Sequence, residues 1–259
     1  MAYTALITGA SSGIGLELAK IHASKGGNLV LVARNKVKLD KLKSELVEKY
    51  KISVCIIVMD LSVEGSAQKV YDQTTLEKIQ IDCLINNAGF GDFGFFSQTD
   101  TAKTVSMINL NITALTLLTK LYLTDMLDRK GGRILNVASI AAFQPGPKMA
   151  VYSATKAYVL SFSQAIGNEV AHLGVTVTAL CPGATQSGFQ AAASMQESKM
   201  FNNKNLPSSK EVAAYGYDAM IKGKSVAIPG FLNNIMADAV GLMPRKWVLK
   251  LVRKIQDAA

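Results

Sequence analysis

The sequence predicts an α/β fold, a doubly wound parallel sheet of about seven strands with helices on both faces. Short β-branched runs alternate with longer amphipathic stretches from the first residue to about residue 230, as in parallel strands joined by helices. No proline-rich or low-complexity linker interrupts this alternation. Because 49% of the 259 residues are hydrophobic, the chain can bury one full core. We therefore predict a single domain over residues 1–259.

The strands are predicted at apolar runs near 4–8, 28–33, 53–59, 82–86, 133–138, 175–181 and 225–228. Helices are predicted between them, and those near 101–129 and 151–172 are long. Residues 184–206 break the alternation, since they are rich in Ala, Ser, Gln, Met and Asn without a clear strand. Long irregular insertions in compact domains are often lids or binding loops. We therefore predict a substrate-binding loop or lid there.

The composition excludes several classes of function. The formal net charge of +9 comes from Lys and Arg spread over predicted helix faces without interleaved aromatic residues, so no nucleic-acid partner is expected. No segment reaches the roughly 18 uncharged apolar residues that span a bilayer, and no basic segment precedes the first strand. We expect a soluble, cytoplasmic protein without a transmembrane segment. Two histidines, and three cysteines without ligand spacing, predict no metal site.

A glycine-rich turn follows the first strand and opens an amphipathic helix over about residues 13–25. Glycines let the backbone approach a pyrophosphate, whose charge is met by the amides and dipole of the helix N-terminus. The strand-turn-helix context distinguishes this pattern from an ordinary glycine loop. The turn predicts a dinucleotide site, with candidate residues Gly9, Ser11, Ser12, Gly13, Ile14 and Gly15.

Ser139, Tyr152 and Lys156 form a candidate proton-transfer set. Ser139 follows an apolar strand, which places it at a carboxyl end of the sheet, where ligands bind in open α/β folds. Tyr152 and Lys156 are four residues apart in a helical stretch and share one face. The ammonium is expected to lower the pKa of the phenol from its ordinary value of about 10. In carbonyl reduction Tyr152 would protonate the substrate oxygen while Ser139 hydrogen-bonds it.

The chain resembles the short-chain dehydrogenase/reductase family over nearly its whole length. The matching residues, in order, are Thr8-Gly9-Ala10-Ser11-Ser12-Gly13-Ile14-Gly15, Asp60, Asn86-Asn87-Ala88-Gly89, Asn111, Ser139, Tyr152 with Lys156, and Pro182-Gly183. The resemblance implies a Rossmann-like fold, hydride transfer between a nicotinamide and a ketone, aldehyde or alcohol, and a homodimer or homotetramer. The alternative is a non-catalytic NADP-sensing or scaffold protein, which typically lacks the Tyr or the Lys; this chain has both.

The resemblance also implies roles for single residues. Asp60 would meet the adenine amino group with Leu61 beside the ring, and Asn111 would hold a water near Lys156 for proton relay. Ser187 stands where the family usually has threonine, which keeps the hydroxyl. The further cofactor contacts that the resemblance implies are Asn87, Ala88, Gly89, Tyr152, Lys156, Pro182, Gly183, Thr185 and Ser187.

The end of the second strand indicates which nicotinamide cofactor is used. An acidic residue there binds the ribose 2′-hydroxyl of NAD, whereas an arginine accommodates the 2′-phosphate of NADP. The strand ends in Arg34, and no Asp or Glu precedes Asp40. NADP(H) is therefore favoured over NAD(H), with Asn35 as an additional contact. The alternative is that Arg34 is an ordinary cation at a helix start, a place that does not favour cations.

Aromatic and methionine residues near the predicted site indicate a pocket for a hydrophobic carbonyl substrate. The alternative is that these residues pack loops against the sheet or fill a subunit interface. The pocket candidates are Phe93, Phe95, Phe143, Met149 and Phe189.

Residues 244–257 predict a basic amphipathic helix with a proline at its start. Such a helix docks its apolar stripe on its own domain or on a partner subunit, or lies on an anionic membrane. We favour docking, because one short helix of this kind has weak membrane affinity. Weak peripheral membrane contact is the alternative.

Overall fold

Seven parallel strands form one sheet in the computed structural model, which describes residues 3–186 and 206–257. The strands are β1 (Thr4–Thr8), β2 (Asn28–Ala33), β3 (Val54–Val58), β4 (Cys83–Asn86), β5 (Gly132–Val137), β6 (Val175–Leu180) and β7 (Val226–Ala227). Their order across the sheet is β3-β2-β1-β4-β5-β6-β7. The predicted doubly wound sheet is confirmed, and β3 and β7 are each two residues shorter than the sequence indicates.

Helices follow the strands in alternation. They are α1 (Gly13–Ser24), α2 (Lys36–Tyr50), α3 (Ser66–Leu76), α4 (Thr101–Ile108), α5 (Leu115–Asp128), α6 (Ala150–Val170), α7 (Ser209–Ile221), α8 (Phe231–Leu242) and α9 (Arg245–Asp257). Among the residues that the structure describes, none of these helices has the length and apolarity to cross a bilayer. Most of the predicted loop over 184–206 lies outside the described residues.

Alternate residues of each central strand belong to two separate cores. Ala5 and Ile7 pack with α1, α2 and α7 on one face of the sheet. Leu6, between them, packs with α3 and α5 on the other face. This two-residue period is the geometry of a strand that is buried on both sides, and it explains the continuous apolar runs in the sequence.

The predicted helix near 101–129 contains a wider turn. A π-helical segment, Asn109–Ala114, joins α4 to α5. Single π turns inside α-helices are rare and occur frequently at functional sites. The segment carries Asn111, whose side chain is buried beneath the loop that follows β4.

The strand order reverses at β1, which pairs with β2 on one side and with β4 on the other. In open α/β sheets a crevice forms outside the carboxyl ends of the strands at such a switch point, and ligands bind there. Thr8 and Asn86 are the last residues of the two strands that flank this crevice. The fold therefore places the glycine turn and the Asn87 loop side by side.

The buried His22 links its own helix, α1, to the segment before β1 and to α7. Its Nε2 lies 3.0 Å from the carbonyl oxygen of Tyr3, and its Nδ1 lies 3.0 Å from the Tyr217 hydroxyl. Since a carbonyl only accepts, Nε2 carries the hydrogen, and Nδ1 accepts from Tyr217. Burial lowers the pKa of His22 below 6.5, although hydrogen bonds to backbone carbonyls oppose this.

We expect the free energy of unfolding to fall as the pH drops below about 6.5, because the unfolded chain then binds a proton that folded His22 resists. In His22→Gln this part of the pH dependence disappears, while lost hydrogen bonds lower the stability by about 1–2 kcal/mol at neutral pH. Urea unfolding of both proteins between about pH 7.5 and pH 5 measures the difference. If the free energy of unfolding of the two proteins changes with pH in parallel, His22 has the same pKa in the folded and unfolded states.

Candidate active site

The glycine turn after β1 leaves the first amides of α1 available to a ligand. The Gly9 amide donates to the Val32 carbonyl at 2.8 Å, which holds the turn against β2. Gly9 and Gly13 have φ of +67° and +57°, values that favour glycine. The helix begins after Ser12, whose side chain makes no capping hydrogen bond, and its first turn has no acidic residue. The donor set therefore fits the pyrophosphate of a dinucleotide.

Gly15 is the glycine of this turn with the least room for a side chain. A Cβ there would lie 2.5 Å from the Gly9 carbonyl oxygen and would also collide with the Asn87 side chain. We expect Gly15→Ala to shift the turn, to weaken dinucleotide binding at least about tenfold and to lower Tm. Fluorescence titration with NADPH and thermal melting measure the two effects.

Gly241→Ala is the matched control for this substitution, because a Cβ at that helical position would meet nothing within 4 Å. Its dinucleotide affinity should equal that of the parent protein. If Gly15→Ala binds NADPH as tightly as Gly241→Ala does, dinucleotide binding by the turn does not depend on the close approach of residues 9 and 15.

Thr8 ties the ends of β1 and β4 together. Its Oγ1 accepts hydrogen bonds from the amides of Asn87 and Ala88, each at 3.0 Å. The Asn87 side chain donates in return to the Thr8 carbonyl at 2.9 Å. The side chain of Asn87 and the amide of Ala88, predicted to contact the cofactor, thus also fix the crevice. Thr8 was absent from the predicted site, and its signal is a hydroxyl at the end of an otherwise apolar strand.

Arg34 and Asp60 face each other after β2 and β3. Arg34 Nη1 lies 3.6 Å from Asp60 Oδ2, and the Arg34 side chain is 78% exposed. Ser62 donates two hydrogen bonds to Asp60 Oδ1, from its amide at 2.9 Å and from its hydroxyl at 2.7 Å. Burial raises the pKa of Asp60, but these hydrogen bonds and the guanidinium outweigh it and hold the pKa below the ordinary value. Asp60 is therefore an anionic acceptor at neutral pH.

Two neighbouring candidates have structural contacts of their own. The Asn35 side chain caps α2, since its Oδ1 accepts from the Lys38 amide at 2.9 Å. Only its Nδ2 is left to donate to a cofactor. Leu61 is buried in the core that β2, α3 and α5 share.

Ser139, Tyr152 and Lys156 come together at the carboxyl end of β5. Tyr152 and Lys156 project from α6, and all three residues are buried. The Ser139 Oγ accepts from the Ala141 amide at 3.1 Å, which fixes the hydroxyl. Lys156 Nζ donates to the Val137 carbonyl at 2.7 Å and lies 5.8 Å from the centre of the Tyr152 ring. The ammonium is thus held beside the phenol by the last residue of the strand.

The electrostatic balance in this set differs from the expectation that Lys156 lowers the pKa of Tyr152. Burial raises the pKa of Tyr152 to about 12, while a hydrogen bond with Ser139 acts in the opposite direction. Burial lowers the pKa of Lys156 to about 8, which leaves it mainly protonated at neutral pH. Burial is thus the largest influence on the pKa of both groups. Tyr152 therefore carries its proton and can donate it.

Asn111 connects the π segment to the loop after β4. Its Oδ1 accepts from the Phe90 amide at 3.2 Å, and its Nδ2 donates to the Phe90 carbonyl at 3.0 Å. Nδ2 also donates to Thr155 Oγ1 at 3.0 Å, and Thr155 donates to the Tyr152 carbonyl at 2.7 Å. A Cβ on Gly89 would lie 3.0 Å from Asn111 Oδ1 and 3.5 Å from Lys156 Nζ. Asn111 thus lies within the same cluster as the predicted catalytic residues.

A cleft opens beside Tyr152. Met149 and Phe93, two of the pocket candidates, pack in one apolar cluster with Tyr152. Phe95 is largely exposed, with Lys148 Nζ at 5.4 Å and the Arg253 guanidinium at 5.3 Å from its ring centre. The wall of the cleft includes Asp92, Gly94, Thr104, Met107, Lys148 and Met149.

Phe143, a fourth pocket candidate, packs in a different cluster, with Val159 and Leu160 of α6 and with Ile228 after β7. Here the structure favours the alternative in which an aromatic residue packs a loop. Phe189 and Ser187 lie outside the described residues.

The segment after β6 closes the site from the other side. The buried Pro182 accepts from the Ile140 amide at 3.0 Å, and Thr185 Oγ1 donates to the Gly183 carbonyl at 2.9 Å. Gly183 lies against Asn233, where a Cβ would be 2.9 Å from Nδ2. This segment therefore runs between the Ser139 turn and α8.

A parallel sheet with a glycine turn and a Ser-Tyr-Lys set at its carboxyl ends defines a nicotinamide-dependent oxidoreductase. The chain belongs to the short-chain dehydrogenase family, whose model matches residues 3–198. Among curated relatives, the very-long-chain 3-oxoacyl-CoA reductase of Anas platyrhynchos is 32% identical over 258 residues, covering 96% of this chain and 78% of that protein.

Two solved structures are similar over most of both chains. A short-chain dehydrogenase from Sphingobium yanoikuyae in complex with NADPH has a TM-score of 0.83 and 32% identity, over 93% of this chain and 95% of that one. A bulky-bulky ketone specific alcohol dehydrogenase from Comamonas testosteroni has a TM-score of 0.79 and 34% identity, over 93% of each chain.

Proposed function

We propose that the protein is an NADP(H)-dependent reductase of hydrophobic ketones or aldehydes, reversible to alcohol oxidation. The observation that carries the proposal is the burial of Ser139, Tyr152 and Lys156 beside the crevice at which the glycine turn begins. The complete set argues against a non-catalytic sensor, because such a protein would have no need of a buried acid and cation there.

The residues that would hold the dinucleotide are the amides of the glycine turn, with Asp60 toward the adenine and Arg34 toward the 2′-phosphate. When bound, the nicotinamide supplies or accepts the hydride. NADPH in the Sphingobium yanoikuyae structure supports the choice of NADP(H). The exposed guanidinium of Arg34 supports it independently, since its ion pair with Asp60 is long and solvent-screened and is readily exchanged for a phosphate.

The chain's own residues handle the proton. Ser139 donates a hydrogen bond to the substrate oxygen, where negative charge develops. Tyr152 then donates its proton to that oxygen. Burial keeps this proton on the phenol up to high pH. The Lys156 ammonium stabilises the phenolate that remains, and its hydrogen bond to Val137 keeps it in place. Asn111 would support the return of a proton through water near Lys156.

The substrate class follows from the apolar cluster of Met149, Phe93 and Tyr152. The relative that acts on very-long-chain 3-oxoacyl-CoA and the bulky-ketone alcohol dehydrogenase support large, apolar carbonyl compounds. The test follows oxidation of NADPH and of NADH with a long-chain 3-oxoacyl thioester, its short-chain homologue, a steroid ketone and an aryl ketone. We expect turnover with a large ketone and NADPH. Tight NADPH binding without turnover of any carbonyl would favour the sensor alternative.

We also propose a cytoplasmic homodimer or homotetramer that assembles through α5 and α6. Leu117 and Tyr158 expose apolar surface on these helices, and Tyr158 shares a hydrogen bond of 3.0 Å with Thr116. Light scattering of the parent protein and of Leu117→Glu tests this, with a lower mass expected for the variant. A monomeric parent protein would contradict it.

A further inference from the structure

Helix α8 exposes most of its large apolar residues, unlike an ordinary surface helix. Its two asparagines are half-buried and bond the backbone just before the helix: Asn233 donates to the Pro229 carbonyl at 2.7 Å and Asn234 donates to the Ile228 carbonyl at 2.8 Å. Its large apolar residues are exposed instead: Phe231 by 78%, Leu232 by 73%, Met236 by 51% and Ile235 by 48%. A surface helix normally places such residues toward the core. Contiguous exposed apolar residues of this kind mark an interaction surface.

Helix α9 follows after Pro244 and adds cations to this surface. Val248 is buried, so one side of the helix packs on the domain. Trp247 and Leu251, one turn apart, nevertheless remain 65% and 51% exposed. The helix carries five cations and one acidic residue, Asp257 at its end, and α8 carries one exposed acidic residue, Asp238. The cations are Arg245, Lys246, Lys250, Arg253 and Lys254. Exposed Trp and Leu beside Lys and Arg are typical of helices that lie in a membrane interface.

Two occupants of this surface are compared, a second copy of the chain and an anionic bilayer, and their charges distinguish them. In a two-fold dimer through α8 and α9 the same surface would meet itself, which brings the five cations of one copy close to the five of the other with only two carboxylates per copy, Asp238 and Asp257, to offset them. An anionic bilayer complements these cations and also receives the apolar side chains. A single short amphipathic helix binds membranes weakly, but here α8 supplies a second apolar element on the same domain.

We propose that α8 and the exposed side of α9 dock the protein on the surface of an anionic lipid bilayer. The apolar residues of α8, with Trp247 and Leu251, enter the headgroup and acyl boundary, while the lysines of α9 meet lipid phosphates. The helices lie on the bilayer and do not cross it. None of the residues that this docking uses belongs to the proposed catalytic set of Ser139, Tyr152 and Lys156, so vesicle binding is measured separately from activity.

The experiment is flotation of the full chain with vesicles of phosphatidylcholine alone and of phosphatidylcholine with about 30% phosphatidylserine. We expect flotation with the anionic vesicles and at least about tenfold weaker binding to the neutral ones, with a strong decrease at high salt. Lys246→Gln with Lys250→Gln, and separately Phe231→Ser with Leu232→Ser, should each lower vesicle binding about tenfold or more.

The matched control is Lys41→Gln with Lys43→Gln, which removes two exposed cations from α2. This variant should float like the parent, since its two lysines lie outside α8 and α9. If net charge alone drove vesicle binding, the two double lysine variants would be weakened equally. Circular dichroism and NADPH titration confirm that each variant is folded. Equal weakening of the two lysine pairs, failure of the parent chain to float, or a dimer that Phe231→Ser with Leu232→Ser dissociates would each overturn the proposal.

Discussion

Tyr152→Phe is expected to lower kcat by about three orders of magnitude while NADPH still binds. The substitution removes the phenol proton beside Ser139, on a ring that packs in the apolar cluster of Met149 and Phe93. Since the ring stays, the packing of this cluster is preserved, and the free energy of unfolding should change by about 1 kcal/mol or less. Steady-state kinetics with the best carbonyl of the substrate panel, NADPH titration and thermal melting measure the three quantities.

Tyr215→Phe is the matched control, since it removes the hydroxyl of a partly exposed tyrosine on α7, away from the proposed site. Its kcat and KM should equal those of the parent. Activity of Tyr152→Phe within tenfold of the parent would contradict the assignment of Tyr152 as the acid. Loss of NADPH binding together with activity would instead indicate a structural role for the hydroxyl.

Arg34→Gln should raise the Kd of NADPH about 10- to 100-fold and leave the Kd of NADH nearly unchanged. A hydrogen bond between charged partners contributes about 1.5–3 kcal/mol, which corresponds to this range. The competing ion pair is weak, because Arg34 Nη1 and Asp60 Oδ2 are 3.6 Å apart at a solvated surface. Titrations of both reduced dinucleotides by fluorescence measure the effect.

Lys36→Gln controls for the loss of one positive charge near this point. Lys36 is similarly exposed and pairs with Asp40 at 2.7 Å on the outside of α2. It should change the affinity for NADPH by less than about threefold. If Arg34→Gln weakens NADPH and NADH equally, Arg34 supports the nucleotide in general and does not select the 2′-phosphate.

The fold was predictable from the sequence because its strands are buried on both faces. The apolar runs at 4–8 and 28–33 coincide with β1 and β2, since each of their apolar residues faces one of the two cores. The π segment was not predictable, because the apolar pattern of residues 101–129 continues through it. Its extra width is visible only in the backbone, beneath the Phe90 loop that Asn111 holds.

The site was predictable as a set of residues, but its internal contacts were not. Spacing alone puts Tyr152 and Lys156 on one face of a helix, and the structure agrees. The raised pKa of Tyr152 depends on burial that only the folded chain creates. Likewise, Thr8 accepts a hydrogen bond from the amide of Asn87 and Thr155 accepts one from the side chain of Asn111, and the sequence does not indicate which distant residues meet in these pairs. Phe143 shows the converse, an aromatic residue near the motifs that faces another core.

The position of β1 between β2 and β4 has a consequence for biosynthesis. β1 is made first, yet its second partner begins only at Cys83, about 80 residues later. At about 5–20 residues per second, one edge of an apolar strand stays unpaired on the ribosome for roughly ten seconds. The unpaired amide and carbonyl groups of such an edge can form hydrogen bonds with strands of other chains. Slowing translation between β1 and β4 should therefore increase the fraction of newly made protein that requires chaperones or aggregates.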